Sequence, residues 1–237
     1  MAALPNRIAE PAQEFLTGER MSRQRFIDLW DRLPGVRFAE LIDGEVFLAS
    51  PLTTPHGDYH GSLSGIARAY CLSTPGCRVA LTPTWYLLDS APQPDMCLRI
   101  LPEYGGQSTV EGRFGSGPPE LIAEVTFSSH TIDYGRKLQL YERAGVTEYI
   151  TLDILERAIR WRHLENGKYK PLKPVRGVVR SRVFPGLWLN AKAFWADDVE
   201  PLRRTLEAGL ATAEHAEFVA RLAAAKKKLA RRGRGRP

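Results

Sequence analysis

Residues 118–153 read PPELIAEVTFSSHTIDYGRKLQLYERAGVTEYITLD. The first part, ELIAEVTFS, is almost entirely apolar, which is typical of a strand that is buried on both faces. Residues 132–144 then predict a helix, because apolar residues recur at helical spacing, and Gly145 ends it. The apolar stripe of this helix is formed by Leu138, Tyr141 and Ala144. The segment VTEYITLDI predicts another strand, so the stretch has the order strand, helix, strand.

The chain before this stretch also mixes strands and helices. Ser22 can cap a short helix that Pro34-Gly35 ends. Asp43-Gly44 lies between two alternating runs in VRFAELIDGEVFLAS and predicts a hairpin. A helix is expected from His56 to about Ser73, and short strands are expected near 77–82, 84–89 and 95–101.

The remaining segments complete the fold class. Residues 102–119 contain five glycines and no period, so we expect a structureless loop of the kind that often borders a site. A hairpin is predicted at Asn166-Gly167, a strand around Val183–Leu189, and a long helix from about Asp197. Because strands and helices do not alternate strictly, the sequence predicts an α/β or α+β fold rather than a barrel of repeated βα units.

Composition excludes several classes of protein. The 237 residues are 43% hydrophobic and 25% charged, the ordinary globular mixture. No uncharged apolar run approaches the roughly 18 residues of a membrane span, and residues 1–20 lack the apolar region of a secretory signal. We expect those residues to form a loosely ordered leader. The cysteines are odd in number and lack zinc spacing, so we interpret them as buried thiols in a reducing, cytoplasmic compartment: Cys71, Cys77 and Cys97.

The net charge of +6 is located in the C-terminal tail. From Arg221 to Pro237 there are eight basic residues and no acidic ones, and the rest of the chain has 25 basic against 27 acidic residues, a net charge of −2. The tail is either a solvated charge run or an arm that grips nucleic-acid phosphates. The candidate phosphate contacts are Lys226, Lys227, Lys228, Arg231 and Arg232. A preceding apolar stripe could dock on the body or pair two subunits into a homodimer: Leu202, Leu206, Leu210 and Ala213.

Three acidic residues lie in or beside apolar strands. Glu40 shares a strand face with Phe38 and Ile42, and Glu124 lies among apolar neighbours in LIAEVTF. Asp95 follows Pro94, which favours an extended approach to a strand. Carboxylates are almost never fully buried unless they are paired or bind a metal. Taken singly, each has a structural explanation: a hairpin edge, an arginine partner or a turn. Together, beside a glycine-rich loop, they indicate a site.

Lys137 is the fourth candidate. It lies four residues after Asp133 on the predicted helix, so an exposed ion pair of those two residues, worth about 0.3 kcal/mol, is one interpretation. In the other, the lysine reaches over the strand ends toward Asp95 and Glu124. Metal-assisted phosphodiester hydrolysis would use this set, because Mg²⁺ binds one or two carboxylates and a nearby lysine can orient a water and offset phosphate charge.

These residues carry a resemblance to a known family. The blocks AELIDGEVFLASPLTTPH (39–56), QPDM (93–96) and residues 118–153 resemble the Uma-two family of putative restriction endonucleases, within the PD-(D/E)XK nuclease superfamily. The resemblance covers roughly Met21 to Trp195. It implies a restriction-endonuclease-like mixed central β-sheet flanked by helices, so we expect a nuclease-like domain at residues 21–196. The sequence beyond it predicts a C-terminal helix with a basic, partly disordered tail at 197–237.

The resemblance also implies a divalent-metal site, for Mg²⁺ or Mn²⁺, and DNA as substrate. Its metal ligands would be Glu40, Asp95 and Glu124, with Lys137 as the basic catalytic member. The superfamily motif places a lysine two residues after the second acid, where this chain has Thr126. The family resemblance implies that the lysine of the site has moved to the helix, at position 137. Arg136 is adjacent but faces about 100° away and cannot lose a proton to act as a base.

His56 matches a histidine that the family often has after its Ser-Pro block. With His60 it forms an i, i+4 pair that could bind zinc, but no HExxH glutamate accompanies it, because position 57 is glycine. We therefore expect His56 to support a ligand or contact phosphate, unless it is simply a residue of the helix start. The leading hypothesis is a Mg²⁺-dependent endonuclease; the alternative is an inactive nuclease-fold nucleic-acid-binding protein or a dimeric regulatory protein.

Overall fold

The computed structural model describes residues 15–33, 38–48, 52–127 and 132–234, without the side chains of residues 132–133 and 232–234. In chain order the helices and strands are α1 (Arg23–Arg32), β1 (Ala39–Ile42), β2 (Glu45–Leu48), α2 (Thr54–Ser73), β3 (Cys77–Leu81), β4 (Trp85–Tyr86), β5 (Met96–Ile100), β6 (Thr109–Glu111), β7 (Phe114–Ser116), β8 (Leu121–Thr126), α3 (Leu138–Ala144), β9 (Glu148–Asp153), β10 (Ala158–Glu165), β11 (Lys168–Pro171), β12 (Val178–Arg180), β13 (Trp188–Asn190), α4 (Ala191–Trp195), α5 (Val199–Leu210) and α6 (Ala213–Arg234). A 3₁₀ turn, Pro102–Tyr104, follows β5, and a π-helical turn, Ile132–Lys137, leads into α3.

The central sheet is mixed, with the strand order β11-β10-β9-β8-β5-β3. The stretch of sequence at 118–153 forms its middle: β8 and β9 are parallel and are joined through the π-helical turn and α3. The other neighbouring strands of this sheet are antiparallel. The predicted mixed sheet flanked by helices is therefore confirmed.

Both predicted hairpins form at the expected residues. Asp43 and Gly44 have φ values of 50° and 76° between β1 and β2, and Asn166 and Gly167 have φ values of 51° and 74° between β10 and β11. Two consecutive residues with positive φ define the turn whose twist matches that of a two-stranded hairpin. This conformation explains why Asp-Gly and Asn-Gly stand at these positions.

The two faces of the sheet have different partners. Leu98, Ala123 and Ile150 belong to a core that also contains side chains of α2, α5 and α6. Ile122 and Tyr149, on the opposite face, pack with residues of α3 and β1. Because strand residues alternate between faces, Glu124 lies on the same face as Ile122, toward α3 and the β1–β2 hairpin. The sheet thus presents this glutamate to the elements that carry the other candidate residues.

The glycine-rich segment 102–119 is not structureless as predicted. It contains the 3₁₀ turn, β6 and β7, and β7 also pairs in parallel with β4. A side-chain carbon at Gly115 would lie 2.3 Å from the ring of Trp85, so this glycine lets the strand approach the ring. The strands are too short to show an alternating pattern, which is why periodicity did not reveal them.

Two other expectations for the C-terminal half need correction. Most of the strand predicted around Val183–Leu189 is instead a loop between β12 and β13, and only its last two residues lie in β13. The single long helix from Asp197 is two helices, α5 and α6, and the second continues to Arg234. Leu202 and Leu206 of α5 are buried in the core, so that part of the apolar stripe docks on the body.

The N-terminal segment is described from Phe15 onward. Phe15 is buried, and the backbone of Gly18 and Met21 bonds to the β1–β2 hairpin. Residues 15–20 of the predicted leader are therefore packed on the hairpin, whereas residues 1–14 lie outside the described part. No helix in the described ranges combines the length and the apolar character needed to cross a bilayer.

Candidate active site

The sheet register brings Asp95 beside Glu124. Met96 of β5 pairs with Ala123 of β8, so Asp95, one residue before β5, stands opposite Glu124. Two bonds fix this arrangement: the Asp95 amide donates to Glu124 Oε2 (3.4 Å), and the Val125 amide donates to Asp95 Oδ2 (2.7 Å). Directly opposite residues of antiparallel strands have neighbouring side chains. The two predicted metal-binding acids are thus next to each other.

Lys137 joins the sheet to the hairpin. Its Nζ lies 3.0 Å from Glu124 Oε1 on β8 and 3.0 Å from Glu40 Oε1 on β1. The lysine is 5% exposed, so its ammonium is inside the protein and not in a solvated pair on the helix surface. The π-helical turn ends at this residue, which brings its side chain over the end of β8. The structure therefore assembles all four candidate residues in one cluster.

Two further groups hold the carboxylates, and neither was expected from the sequence. The Tyr141 hydroxyl donates to Glu124 Oε1 at 2.7 Å, and the Gln93 amide donates to Glu40 Oε1 at 2.6 Å. Tyr141 lies four residues after Lys137, so the two share a helix face, and that spacing is a signal the sequence does contain. The contact of Gln93 uses its backbone and has no signal in the residue type.

His56 and His60 both contact Asp95. His56 is near the start of α2, where the Thr53 hydroxyl accepts from the His56 amide and caps the helix. His56 Nε2 lies 3.3 Å from Asp95 Oδ2, and His60 Nε2 donates to the Asp95 carbonyl at 2.8 Å. The two Nε2 atoms are thus directed at one aspartate. This arrangement supports the predicted role of His56 beside a ligand better than a shared zinc ion.

The surroundings of Asp95 lower the pKa of its carboxyl group. Burial alone would raise this pKa, because it disfavours the charged form. The hydrogen bond and charge of His56, the Val125 amide and the charge of Lys137 act in the opposite direction and prevail. Asp95 is therefore held as a carboxylate, the form in which it can bind a cation.

The site has oxygen donors suited to Mg²⁺, although the described side chains do not form a complete coordination shell. Among the described residues, no group of three or more His, Cys, Asp and Glu side chains is arranged to surround a metal ion. Asp95 Oδ1 makes no hydrogen bond to a described residue, and the side chain is 15% exposed. Mg²⁺ keeps several waters and needs only one or two carboxylates, so the adjacent Asp95 and Glu124 fit it.

The remaining predicted residues lie outside this cluster. The Arg136 guanidinium pairs with Glu45 at 2.6 Å. On α6, Lys226 Nζ lies 3.0 Å from the Tyr104 hydroxyl. The other tail candidates with described side chains are exposed: Lys227, Lys228 and Arg231. The side chain of Arg232 is not among those described, and its predicted phosphate contact stays a prediction.

The origin of the lowered pKa can be tested by replacing His56. In His56→Ala the carboxyl of Asp95 loses the hydrogen bond and the charge of His56, while its burial remains. We therefore expect the pKa of Asp95 to rise relative to the wild type. A lowered pKa of Asp95 stabilises the folded state at pH values above the pKa that Asp95 has in the unfolded chain, and this stabilisation is lost as pH falls through the folded-state pKa. The free energy of unfolding of the variant should therefore depend less on pH in this range. Carbon-13 NMR titration of the carboxyl measures the pKa.

His60→Ala is the matched control, because His60 contacts only the backbone carbonyl of Asp95. Its Asp95 titration should follow the wild type. A pKa that is unchanged in His56→Ala, or that rises equally in both variants, would contradict the assignment of the shift to His56.

Comparison with known proteins agrees with this architecture. A family profile described as "Uma2: Putative restriction endonuclease" matches residues 25–192. Among solved structures, the fold is similar to the crystal structure of "a putative nuclease belonging to DUF820" from Anabaena variabilis, with a TM-score of 0.58 and 11% identity over 74% of this chain and 98% of that chain. None of the curated proteins compared with the chain matches it. Since the family match spans well over half of the sequence, the protein belongs to the Uma2 family, the Uma-two family of the sequence resemblance.

Proposed function

We propose that this protein is a divalent-metal-dependent endonuclease that hydrolyses phosphodiester bonds in DNA. The observation that carries the proposal is the buried Lys137 ammonium, bonded to Glu124 directly beside Asp95. This arrangement agrees with the lysine and acids of the PD-(D/E)XK superfamily, with the lysine moved to the helix. Family membership and the nuclease described in the similar solved structure support a nuclease, and the metal and the DNA substrate are our additions.

Asp95 and Glu124 would hold one Mg²⁺ or Mn²⁺ ion. Glu40 is bonded to Lys137 and to the Gln93 amide, so we place it near the ion through water. When bound, the ion would lower the pKa of a water and stabilise charge on the phosphate. Hard carboxylate oxygens suit such ions, whereas imidazole and thiolate donors would favour zinc.

The other side chains of the site would position these groups. The Lys137 ammonium would donate a hydrogen bond to the attacking water or to a phosphate oxygen, because it lies 3.0 Å from Glu124, one of the proposed metal ligands. Tyr141 and the Val125 amide hold the two carboxylates in their rotamers through bonds of 2.7 Å each. His56 keeps Asp95 ionised. Each of these contacts is formed before substrate arrives, so little reorganisation is required at the moment of reaction.

An inactive nucleic-acid-binding or dimeric regulatory protein is the alternative. Its affinity would come from the basic surface of α6, where Lys227, Lys228 and Arg231 are exposed. A binding module has no need of buried acids that repel phosphate, and this chain retains Glu40, Asp95 and Glu124 around a lysine. The endonuclease therefore explains more of the site.

Cleavage of supercoiled plasmid tests the enzymatic function. Wild-type protein should nick or linearise the plasmid in Mg²⁺, and excess EDTA should stop the reaction. Asp95→Asn and Glu124→Gln should lose the activity because each removes a charged metal ligand. Lys137→Met should lower the rate about 10²- to 10⁴-fold, the usual contribution of a group that handles a proton.

The control is Glu111→Gln, which removes one negative charge from an exposed strand outside the site. Its rate should equal that of the wild type. Circular dichroism confirms the fold of each variant, which matters for Lys137→Met since it leaves two carboxylates without their shared cation. Cleavage that survives EDTA, or that is unchanged in Asp95→Asn, would refute the metal-dependent mechanism; DNA binding without cleavage by the wild type would favour the alternative.

The role of the basic tail is tested by charge removal rather than truncation. Leu222 of α6 is buried, so cutting the chain at 221 would damage the core. In Lys227→Ala/Lys228→Ala/Arg231→Ala, the slope of log affinity for duplex DNA against log salt should flatten by about 0.9 for each lost phosphate contact. Fluorescence anisotropy across a salt series measures this slope.

The control is Arg203→Ala/Arg204→Ala on α5, where both arginines pair with Glu200. Its slope should equal that of the wild type. Equal slopes for the tail variant and the wild type would mean that this surface is only solvated.

A further inference from the structure

Arg162 of β10 lies on the face of the sheet that carries the candidate active site. Glu124 of β8 pairs in register with Thr151 of β9, and the Arg162 Nη1 donates to the Thr151 hydroxyl at 2.7 Å. Arg162 itself is in register with Tyr149, and its guanidinium reaches along the strand to Thr151, the residue opposite Glu124. Neighbouring strands are about 4.8 Å apart, so β8 and β10 are separated by roughly 10 Å.

Among the described side chains, none with an opposite charge forms an ion pair with Arg162. Besides Thr151, its Nη1 donates only to the Arg160 carbonyl at 3.3 Å, and its Nε and Nη2 donate to no described residue. Its flat guanidinium is bordered by two aromatic rings, with centroids at 5.8 Å (Tyr134) and 5.7 Å (Tyr149). Within the described part of the chain, this half-buried cation therefore has N–H donors that no protein group accepts.

Arg160, on the same strand, forms ion pairs with two carboxylates and provides a comparison for Arg162. Its guanidinium pairs with the buried Asp153 at 3.1 Å and also with Glu156, and it donates to the Tyr134 hydroxyl at 2.7 Å. Its pKa is raised, first by the hydrogen bond to Glu156. The pKa of Arg162 is instead lowered, first because burial disfavours its charge, and the charge of Arg160 acts in the same direction. The two arginines, two residues apart, are thus electrostatically different.

We infer that Arg162, held by Thr151 and the two tyrosine rings, is a phosphate-binding subsite for the nucleic-acid strand that enters the active site. The inference rests on the proposed function and names a contact of that substrate. Arginine binds phosphate with two parallel N–H donors, and Nε and Nη2 form such a pair. A phosphate on this subsite lies beside the one to be cleaved, so Arg162 orients the strand without touching the reacting atoms.

Inorganic phosphate probes the subsite without nucleic acid. Thermal unfolding is measured in metal-free buffer, with phosphate against sodium chloride at equal ionic strength. Phosphate should raise the Tm of the wild type, because a ligand that binds only the folded state stabilises it. The shift should vanish in Arg162→Gln and persist in part in Arg162→Lys, which keeps the charge but not the paired donors.

Arg180→Gln is the matched control. Arg180 also stacks on an aromatic ring, 3.9 Å from the centroid of Trp188, but it lies on β12 outside the central sheet. Its loss removes the same charge and should leave the phosphate shift at the wild-type value. An equal shift in Arg162→Gln and the wild type would overturn the subsite.

The DNA contact is measured separately by anisotropy in EDTA, where no cleavage occurs. Loss of one phosphate contact should flatten the salt slope by about 0.9, which amounts to roughly 8-fold weaker binding at 0.1 M salt if affinity at 1 M is unchanged. Arg162→Gln should show this change, and Arg180→Gln and Arg162→Lys should keep the wild-type slope. An unchanged slope in Arg162→Gln would overturn the nucleic-acid assignment.

Failure of the two proposals can be distinguished. If the phosphate and slope effects follow Arg162 but the wild type never cleaves DNA, the subsite stands and the endonuclease proposal fails. If the wild type cleaves and Arg162→Gln changes neither the phosphate shift nor the salt slope, the endonuclease stands and the subsite fails.

Discussion

The rest of the site depends on the burial of one ammonium group between two carboxylates. Lys137 holds Glu124 of the central sheet and Glu40 of the β1–β2 hairpin, and thereby fixes the π-helical turn over both. Removing one partner from a buried charge cluster costs about 3 to 5 kcal/mol, because the others remain without compensation. The same contact that stabilises the packing of hairpin, sheet and helix therefore also prearranges the carboxylates and the lysine of the proposed reaction.

The cluster results from the register of the paired strands and from the alternation of side chains between the two faces of the sheet. Glu124 points away from the core that Ala123 and Val125 enter, and antiparallel pairing sets Asp95 opposite it. The parallel neighbour β9 brings Thr151 to the other side of Glu124, and β10 adds Arg162. The groups on this sheet face thus change from anionic at Glu124 to cationic on β10, where Arg160 is in register with Thr151 and Arg162 with Tyr149. A metal at the acidic end and a phosphate at the basic end would both find complementary charge.

The sequence revealed the local elements better than their contacts. Asp43-Gly44 and Asn166-Gly167 specify their hairpins through positive φ, and this preference is a property of the residues themselves. The acids stood out because charges are rare in apolar strands, whereas the link to Lys137 came from the family resemblance. The Gln93 amide is a backbone group, and the contacts of Arg162 depend on how β9 and β10 pair and on the position of the Tyr134 ring, so neither leaves a local pattern. The same holds for the short strands β6 and β7.

The central claim is that Asp95 and Glu124 share one divalent ion. Anomalous X-ray scattering from crystals of the full chain soaked in Mn²⁺ tests it most directly, because the signal locates the ion without reference to activity. The account predicts one peak between the two carboxylates, with oxygen ligands at about 2.1 to 2.2 Å and the remaining positions filled by water. A peak only at His56 and His60, or no peak within reach of Asp95 and Glu124 at saturating Mn²⁺, would contradict it.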